Sequence, residues 1–155
     1  MKHIVAFDTA GPVVGVALLC ADGVVERNER SLRGAESRLV PWMQELLAET
    51  GLSTRDLDGI AVSNGPGAFT GLRVGLSSAI GVALSVGVPL YPCSSLRSRA
   101  AHLQHHDGPV LSMLDARKGR VYAAVFSKEG TVIAGPGDVD PVSYTHLTLP
   151  TILLV

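Results

Sequence analysis

The first thirty residues alternate between apolar stretches and short polar turns, which predicts three β-strands. His3–Thr9 and Val13–Cys20 are β-branched or small and apolar almost throughout, a pattern typical of strands covered on both faces. Ala21–Gly23 is a turn signal, and Val24–Glu29 brings in polar residues. The second and third strands should therefore pair as an antiparallel hairpin, with the third strand at the edge of a central sheet.

A helix and a fourth strand are predicted next. Apolar residues recur at helical spacing across residues 37–50, with Pro41 in the first turn and Gly51 placed to end the helix. Ser53–Asp56 has the pattern of a short capping box. Gly59–Ser63 returns as another buried strand.

The following stretch continues the alternation of helix and strand. Thr70 can cap a long helix and Gly87 can close it. Pro89–Cys93 is a short strand, and a further helix begins at Ser94 or Ser95.

The last predicted strands are Val110–Asp115, Arg120–Ser127 and Thr131–Ala134. Strands, then alternating helices and strands, then a new run of strands is the order of an α/β ribonuclease-H-like lobe followed by the opening of a second lobe. The first lobe is expected to hold a mixed five-stranded sheet with flanking helices. The expected division is an N-terminal lobe at 1–107, an incomplete second lobe at 108–141 and a tail at 142–155.

The tail departs from the rest of the chain. Val142–Val155 contains no charged residue, ends in four apolar residues, and does not continue the rhythm of strand and helix. We interpret it as non-native sequence in place of the natural C-terminal part. One uncharged edge strand is the alternative.

Composition limits the classes of function. The chain has 155 residues, 46% of them hydrophobic and 17% charged, which fits a soluble domain or a domain with part of another. The formal net charge of -1 provides no global positive field, so contact with nucleic acid would need a local patch or a partner. Cys20 and Cys93 form no CxxC pair, and neither a leader peptide nor a run of about 18 apolar residues is evident. A reduced, cytoplasmic setting is expected.

Three segments carry a resemblance to a known family. They are Ile4–Ala10, Gly65–Gly75 and Asp115–Tyr122, and the middle one, with the sequence GPGAFTGLRVG, is highly specific. In order and spacing they resemble the TsaB (YeaZ) family. The resemblance covers the chain from Met1 to about Pro141.

The resemblance implies an actin-like ATPase fold and membership of the bacterial complex that forms N6-threonylcarbamoyladenosine in tRNA. Catalysis in that family belongs to the paralogous partner TsaD, so this chain is expected to be a non-catalytic scaffold subunit. TsaE, an ATPase, is a further implied partner, and a homodimer is an alternative assembly. ATP and magnesium are implied for the complex. Contact of this chain with tRNA would be indirect, through the other subunits of the complex. Ala35 stands where relatives commonly have His, which puts any role of that His in doubt.

Small residues on the long helix suggest a close helix–helix contact. Gly71, Gly75 and Ala79 recur at four-residue steps and predict one flat face. That face could pack against the chain's own sheet or against a partner, and the resemblance favours a bundle formed with the partner's lobe. The predicted partner interface consists of Thr70, Gly71, Gly75, Ser78, Ala79, Val82, Leu39 and Met43.

The glycine-rich motif itself admits two interpretations. Glycines before a helix can cradle phosphate, but the segment has neither the Lys of a P-loop nor GxGxxG spacing. A tight turn from strand to helix is therefore favoured. The motif residues are Gly65, Pro66, Gly67, Phe69 and Arg73.

Asp8 and Thr9 mark a possible vestigial nucleotide or metal site. Asp8 ends the first strand, where actin-like enzymes place a metal-binding carboxylate, but no second acid stands near the end of the fourth strand. Capping of the neighbouring loop is the favoured role. The rival functions are a nucleotide-dependent phosphotransferase of the same fold and a glycopeptidase-like metallopeptidase. A metal site at His102, His105 and His106 is disfavoured because a fuller ligand set is lacking.

The hairpin at Asp115–Lys118 carries adjacent cations. Arg offers a planar fork of donors that suits phosphate or a partner's carboxylate. An ordinary charged turn is the alternative.

Overall fold

The computed structural model describes residues 2–30, 34–103, 107–140 and 153–154. The chain divides into two compact units, one comprising Met1–Asn64 with Ala68–Cys93 and the other Gly65–Gly67 with Ser94–Val155. The boundary lies at Cys93, whereas the sequence placed it after residue 107. The difference arises because the last helix packs on the strands that follow it.

The first unit is a mixed sheet with helices. Its strands are β1 (Ile4–Asp8), β2 (Val13–Cys20), β3 (Gly23–Arg30), β4 (Gly59–Ser63) and β5 (Leu90–Cys93), in the spatial order β3-β2-β1-β4-β5. Its helices are α1 (Leu39–Glu49) and α2 (Phe69–Val86), with 3₁₀ turns at Ala35–Arg38 and Thr54–Asp56. β1, β4 and β5 are parallel, and β2 is antiparallel to both β1 and β3. The predicted hairpin, the edge position of β3 and the mixed five-stranded sheet are confirmed.

The first sheet buries one face under α1 and α2. Burial alternates along β1 and β2, with Val5, Phe7 and Val16 in the core. On the other face Ala6 and Ala17 are only half-buried. The expectation of full cover on both faces was wrong, because Val13 and Leu19 on the second face are 46% and 41% exposed.

The helix ends follow the predicted chemistry with one exception. Gly51 and Gly87 have φ values of +70° and +80° and close α1 and α2, as predicted. The N-cap of α2 is Ala68, and the helix already begins at Phe69. Thr70 therefore lies inside the first turn and does not cap the helix.

Helix α2 is the most apolar helix of the described residues. By length and composition alone its 18 residues could cross a membrane, although Arg73 and several Ser and Thr residues interrupt its apolar sequence. In the structure Gly71, Ala79 and Val82 of α2 are buried, and the helix packs against β4 and β1. The apolar character of α2 is thus that of a helix covering a sheet.

The second unit is a helix on a second sheet. Its elements are α3 (Ser95–Ala101), β6 (Val110–Arg117), β7 (Arg120–Phe126), β8 (Val132–Val139) and β9 (Leu153–Leu154), with strand order β8-β7-β6-β9. Ser94 caps α3 by accepting a hydrogen bond from the N–H of Arg97, as predicted. Leu96 and Ala100 of α3 pack on Val110 and Phe126. Most of the predicted tail lies outside the described residues, apart from β9, which pairs in parallel with β6.

Candidate functional site

Helix α2 meets the end of β1 through a contact that requires glycine. Thr9 is 1% exposed, and its hydroxyl donates a hydrogen bond of 2.7 Å to the carbonyl oxygen of Gly71. A Cβ on Gly71 would lie 2.3 Å from the carbonyl oxygen of Thr9. A Cβ on Gly75 would lie 2.1 Å from the Thr9 hydroxyl oxygen. Both distances are far below van der Waals contact, so both glycines serve the chain's own packing.

The predicted partner interface is corrected by this packing. Six of its eight residues are buried within the first unit: Leu39, Met43, Gly71, Gly75, Ala79 and Val82. Ser78 is half-buried, and Thr70 is exposed. The small residues let α2 approach its own sheet, which is the alternative that the sequence left open, and they present no free surface.

The opposite side of α2 is exposed, and we call it the outer face of α2. It consists of Phe69, Thr70, Arg73, Ser77, Ile80, Gly81 and Leu84. Leu84 is 78% exposed and Phe69 is 73% exposed, and the Arg73 guanidinium lies 5.4 Å from the centre of the Phe69 ring. This surface combines large apolar side chains with small ones, a composition typical of a surface that contacts another protein.

Gly81 is the least expected member of the outer face. A Cβ at this position would meet no neighbouring group within 4 Å. Glycine in a helix interior is less favourable than alanine by up to about 1 kcal/mol. Unlike Gly71 and Gly75, Gly81 gains no compensating contact from the part of the chain that the structure describes.

A groove between α1 and α2 adjoins this surface. Its lining residues come from both helices and from the 3₁₀ turn after α1: Val40, Met43, Gln44, Thr54, Arg55, Val82, Ser85 and Val86. Val40 is itself exposed. The groove could receive side chains from a helix laid along α2.

Backbone hydrogen bonds hold both ends of the turn formed by the glycine motif. The N–H of Ala68 donates to the carbonyl oxygen of Ala10 at 2.8 Å, and the N–H of Ser95 donates to that of Gly65 at 2.9 Å. Gly65 has a φ of +102°, which favours glycine. Pro66 and Gly67 complete the turn. These contacts support the interpretation of a tight turn from strand to helix.

Asp8 caps the loop that follows β1, as predicted. Its Oδ1 accepts a hydrogen bond of 3.0 Å from the N–H of Ala10, while the Thr9 hydroxyl is already bonded to α2. Among the described residues, no group of three His, Cys, Asp or Glu side chains is placed to hold a metal ion. His105 and His106 lie outside the described residues.

These features define the class of protein: a ribonuclease-H-like lobe of the actin-like superfamily, followed by strands of a second unit. The solved structure described as "YeaZ from Pseudomonas aeruginosa" superposes with a TM-score of 0.82 at 29% sequence identity. The match covers 97% of this chain and 71% of that one.

Sequence comparisons agree with the structural one. The family model for "TsaD: tRNA N6-adenosine threonylcarbamoyltransferase" matches residues 28–150. The "tRNA threonylcarbamoyladenosine biosynthesis protein TsaB" of Bacillus subtilis (strain 168) is 36% identical over 79% of this chain and 54% of its own length. The Escherichia coli (strain K12) protein of the same name is also 36% identical, over 82% of this chain and 56% of its own length. The chain belongs to the TsaB (YeaZ) family, and it spans about half the length of these curated relatives.

The outer face of α2 was missed although its pattern is present in the sequence. Arg73, Ile80 and Leu84 follow each other at helical spacing on the side opposite Gly71 and Gly75. A helical projection of α2 would have separated the two faces. It would not have decided which face meets the sheet, because both carry apolar and small residues.

Proposed function

We propose that this chain is a non-catalytic scaffold subunit of the bacterial machinery that forms N6-threonylcarbamoyladenosine in tRNA. The names of its relatives support the pathway. Support for a scaffold role comes from the polar groups at the end of β1, since Asp8 and Thr9 are engaged in hydrogen bonds within the first unit.

The outer face of α2 is the observation that carries the proposal. Ile80 and Leu84 are large exposed apolar residues, and Gly81 beside them leaves room for a second helix to approach closely. We assign this face, with Val40 and the adjoining groove, to docking of the related lobe of the catalytic subunit TsaD. A second copy of this chain is the alternative occupant.

The remaining partners belong to the assembled complex. TsaE would join the pair of lobes, and ATP and magnesium would act in the complex. We place the complex in the cytoplasm, where its tRNA substrate is found.

The test is copurification of the full chain with the cognate TsaD. Leu84→Glu should weaken association at least tenfold, because a charge would be buried in an apolar contact. Gly81→Leu should do the same by blocking close approach. Val24→Glu is the matched control, since Val24 is 63% exposed on the edge strand β3.

All three variants change exposed positions and should unfold at or above the wild-type midpoint, since Gly81→Leu also replaces a glycine inside a helix. Unchanged association of both α2 variants would rule out this face. A loss of self-association with no loss of TsaD binding would assign the face to a homodimer.

A further inference from the structure

The hairpin between β6 and β7 holds two adjacent cations in an unusual backbone conformation. Arg117 and Lys118 have φ values of +68° and +53°, and Gly119 follows at +75°. Left-handed backbone is uncommon for residues other than Gly, Asn and Asp because the Cβ approaches the backbone. A two-residue hairpin loop of this kind usually takes Asn-Gly or Asp-Gly. Two long cationic side chains occupy positions where smaller residues are sterically preferred.

Two acids near this tip, Asp115 and Asp138, are engaged with other groups. Oδ1 of Asp115 accepts a hydrogen bond of 2.7 Å from the N–H of Arg117, which fixes the start of the turn. Asp138 accepts 2.7 Å bonds from the Arg120 guanidinium, one at its carboxylate and one at its carbonyl oxygen. In the described parts of the chain, no ion pair joins a carboxylate to Arg117 or Lys118.

The tip is polar throughout. Asp115, Arg117, Lys118, Gly119 and Arg120 are all exposed. A surface that docks a protein usually has an apolar centre, whereas contact with a phosphate backbone needs only well-placed cations. The chain as a whole has a formal net charge of -1, so such contact must come from a local group of this kind.

We propose that Arg117 and Lys118 contact the phosphodiester backbone of RNA, which makes this hairpin tip a direct tRNA contact of the protein. The inference rests on the proposed function for the identity of the RNA. The two side chains neutralise phosphates, and the hydrogen bond from the Arg117 N–H to Asp115 holds the start of the turn that presents them.

The test measures binding of the full chain to a fluorescently labelled unmodified tRNA transcript between about 50 mM and about 200 mM KCl. The variant Arg117→Asn with Lys118→Asn removes both charges and suits left-handed backbone, so folding should be retained. Affinity at the low-salt end should fall about tenfold, and the slope of log K against log salt should decrease by about 1.4, or 0.7 for each phosphate contact. Arg117→Lys should keep most of the slope.

The control is Arg97→Gln, which removes a charge from α3 in the same unit and should leave the slope at its wild-type value, because Arg97 is not part of the proposed contact. The proposal is overturned if the wild-type chain does not bind the transcript or if the double Asn variant keeps the full slope. It is also overturned if ATP at millimolar concentration displaces the RNA from the wild type, which would assign the tip to free nucleotide. If the double Asn variant loses TsaD but keeps tRNA, the tip is a protein contact and the proposal fails.

The experiments can contradict the scaffold role and the RNA contact independently of each other. Loss of TsaD association in the outer-face variants bears on the scaffold role, and the salt slope bears on the hairpin alone.

Discussion

The hydroxyl of Thr9 donates a hydrogen bond to the carbonyl oxygen of Gly71, 62 positions further along the chain. The same side chain fills the space that any Cβ on Gly75 would need. This buried contact fixes where α2 crosses the end of β1, and thereby decides which face of α2 is left for other molecules.

Alanine at either buried glycine should destabilise the fold. We expect Gly71→Ala and Gly75→Ala each to lower the free energy of unfolding by about 1–3 kcal/mol, because the added Cβ overpacks a closed contact. Thr9→Ala should partly rescue Gly75→Ala, whose clash is with the Thr9 side chain. It should not rescue Gly71→Ala, whose clash is with the Thr9 backbone.

Gly81→Ala is the control for this double-mutant cycle. The same substitution in the same helix meets open space there, so it should stabilise by up to about 1 kcal/mol. Denaturant unfolding of all the variants gives these differences. Equal effects at the three glycines would contradict the assignment of an inner and an outer face.

The 3₁₀ turn after α1 predicts a pH dependence. The Ser53 hydroxyl and the Ser53 N–H donate to Oδ2 of Asp56 at 2.7 Å and 2.8 Å. These bonds lower the pKa of the Asp56 carboxyl below its ordinary value of 3.8, the hydroxyl contributing most. A carboxyl whose pKa is lowered by folding stabilises the folded state when the pH is above its pKa in the unfolded chain. That contribution is lost as the pH falls through its pKa in the folded state.

Ser53→Ala should therefore move the pKa of Asp56 back toward 3.8, as followed by carboxyl-carbon NMR. Its destabilisation should be present near neutral pH and should shrink below about pH 3.8. Ser53→Thr keeps the hydroxyl and should keep the low pKa. A low Asp56 pKa that survives in Ser53→Ala would show that another group is responsible.

Substitution of Asp8 distinguishes the scaffold function from the alternative function as a phosphotransferase. Asn keeps an Oδ1 acceptor for the N–H of Ala10, so Asp8→Asn should change the free energy of unfolding by less than about 1 kcal/mol. Under the scaffold proposal, association with TsaD is also unchanged. Asp8→Ala removes the acceptor and should cost about 1 kcal/mol.

Assays of the purified full chain with ATP and magnesium complete this comparison. ATP hydrolysis that collapses in Asp8→Asn would favour the phosphotransferase. A metal that copurifies with the chain would favour the metallopeptidase.

The sequence predicted most of the helix ends and strands, because these depend on residues a few positions apart. The surface that α2 leaves exposed could not be predicted, because it depends on contacts between residues far apart in sequence. The turn glycines Gly51 and Gly87 and the cap Ser94 act within a few residues, so the sequence located them correctly. The direction faced by Gly75 depends on Thr9, which is remote in sequence. A row of small residues allows another element to approach closely but does not identify that element, so the sequence could not show that Gly71 and Gly75 pack against Thr9 of the same chain.

The edge strand β3 has a consequence for how this protein meets other chains. The edge strand β3 carries side chains of both charges, and its unpaired backbone groups could otherwise bond to a strand of another molecule. The charged residues are Glu26, Arg27, Glu29 and Arg30. Pairing another strand with this margin would strip water from these charged side chains, which discourages fibril-like growth. The charged margin of β3 therefore disfavours assembly by strand addition, which is consistent with the proposal that partners dock on a helical surface.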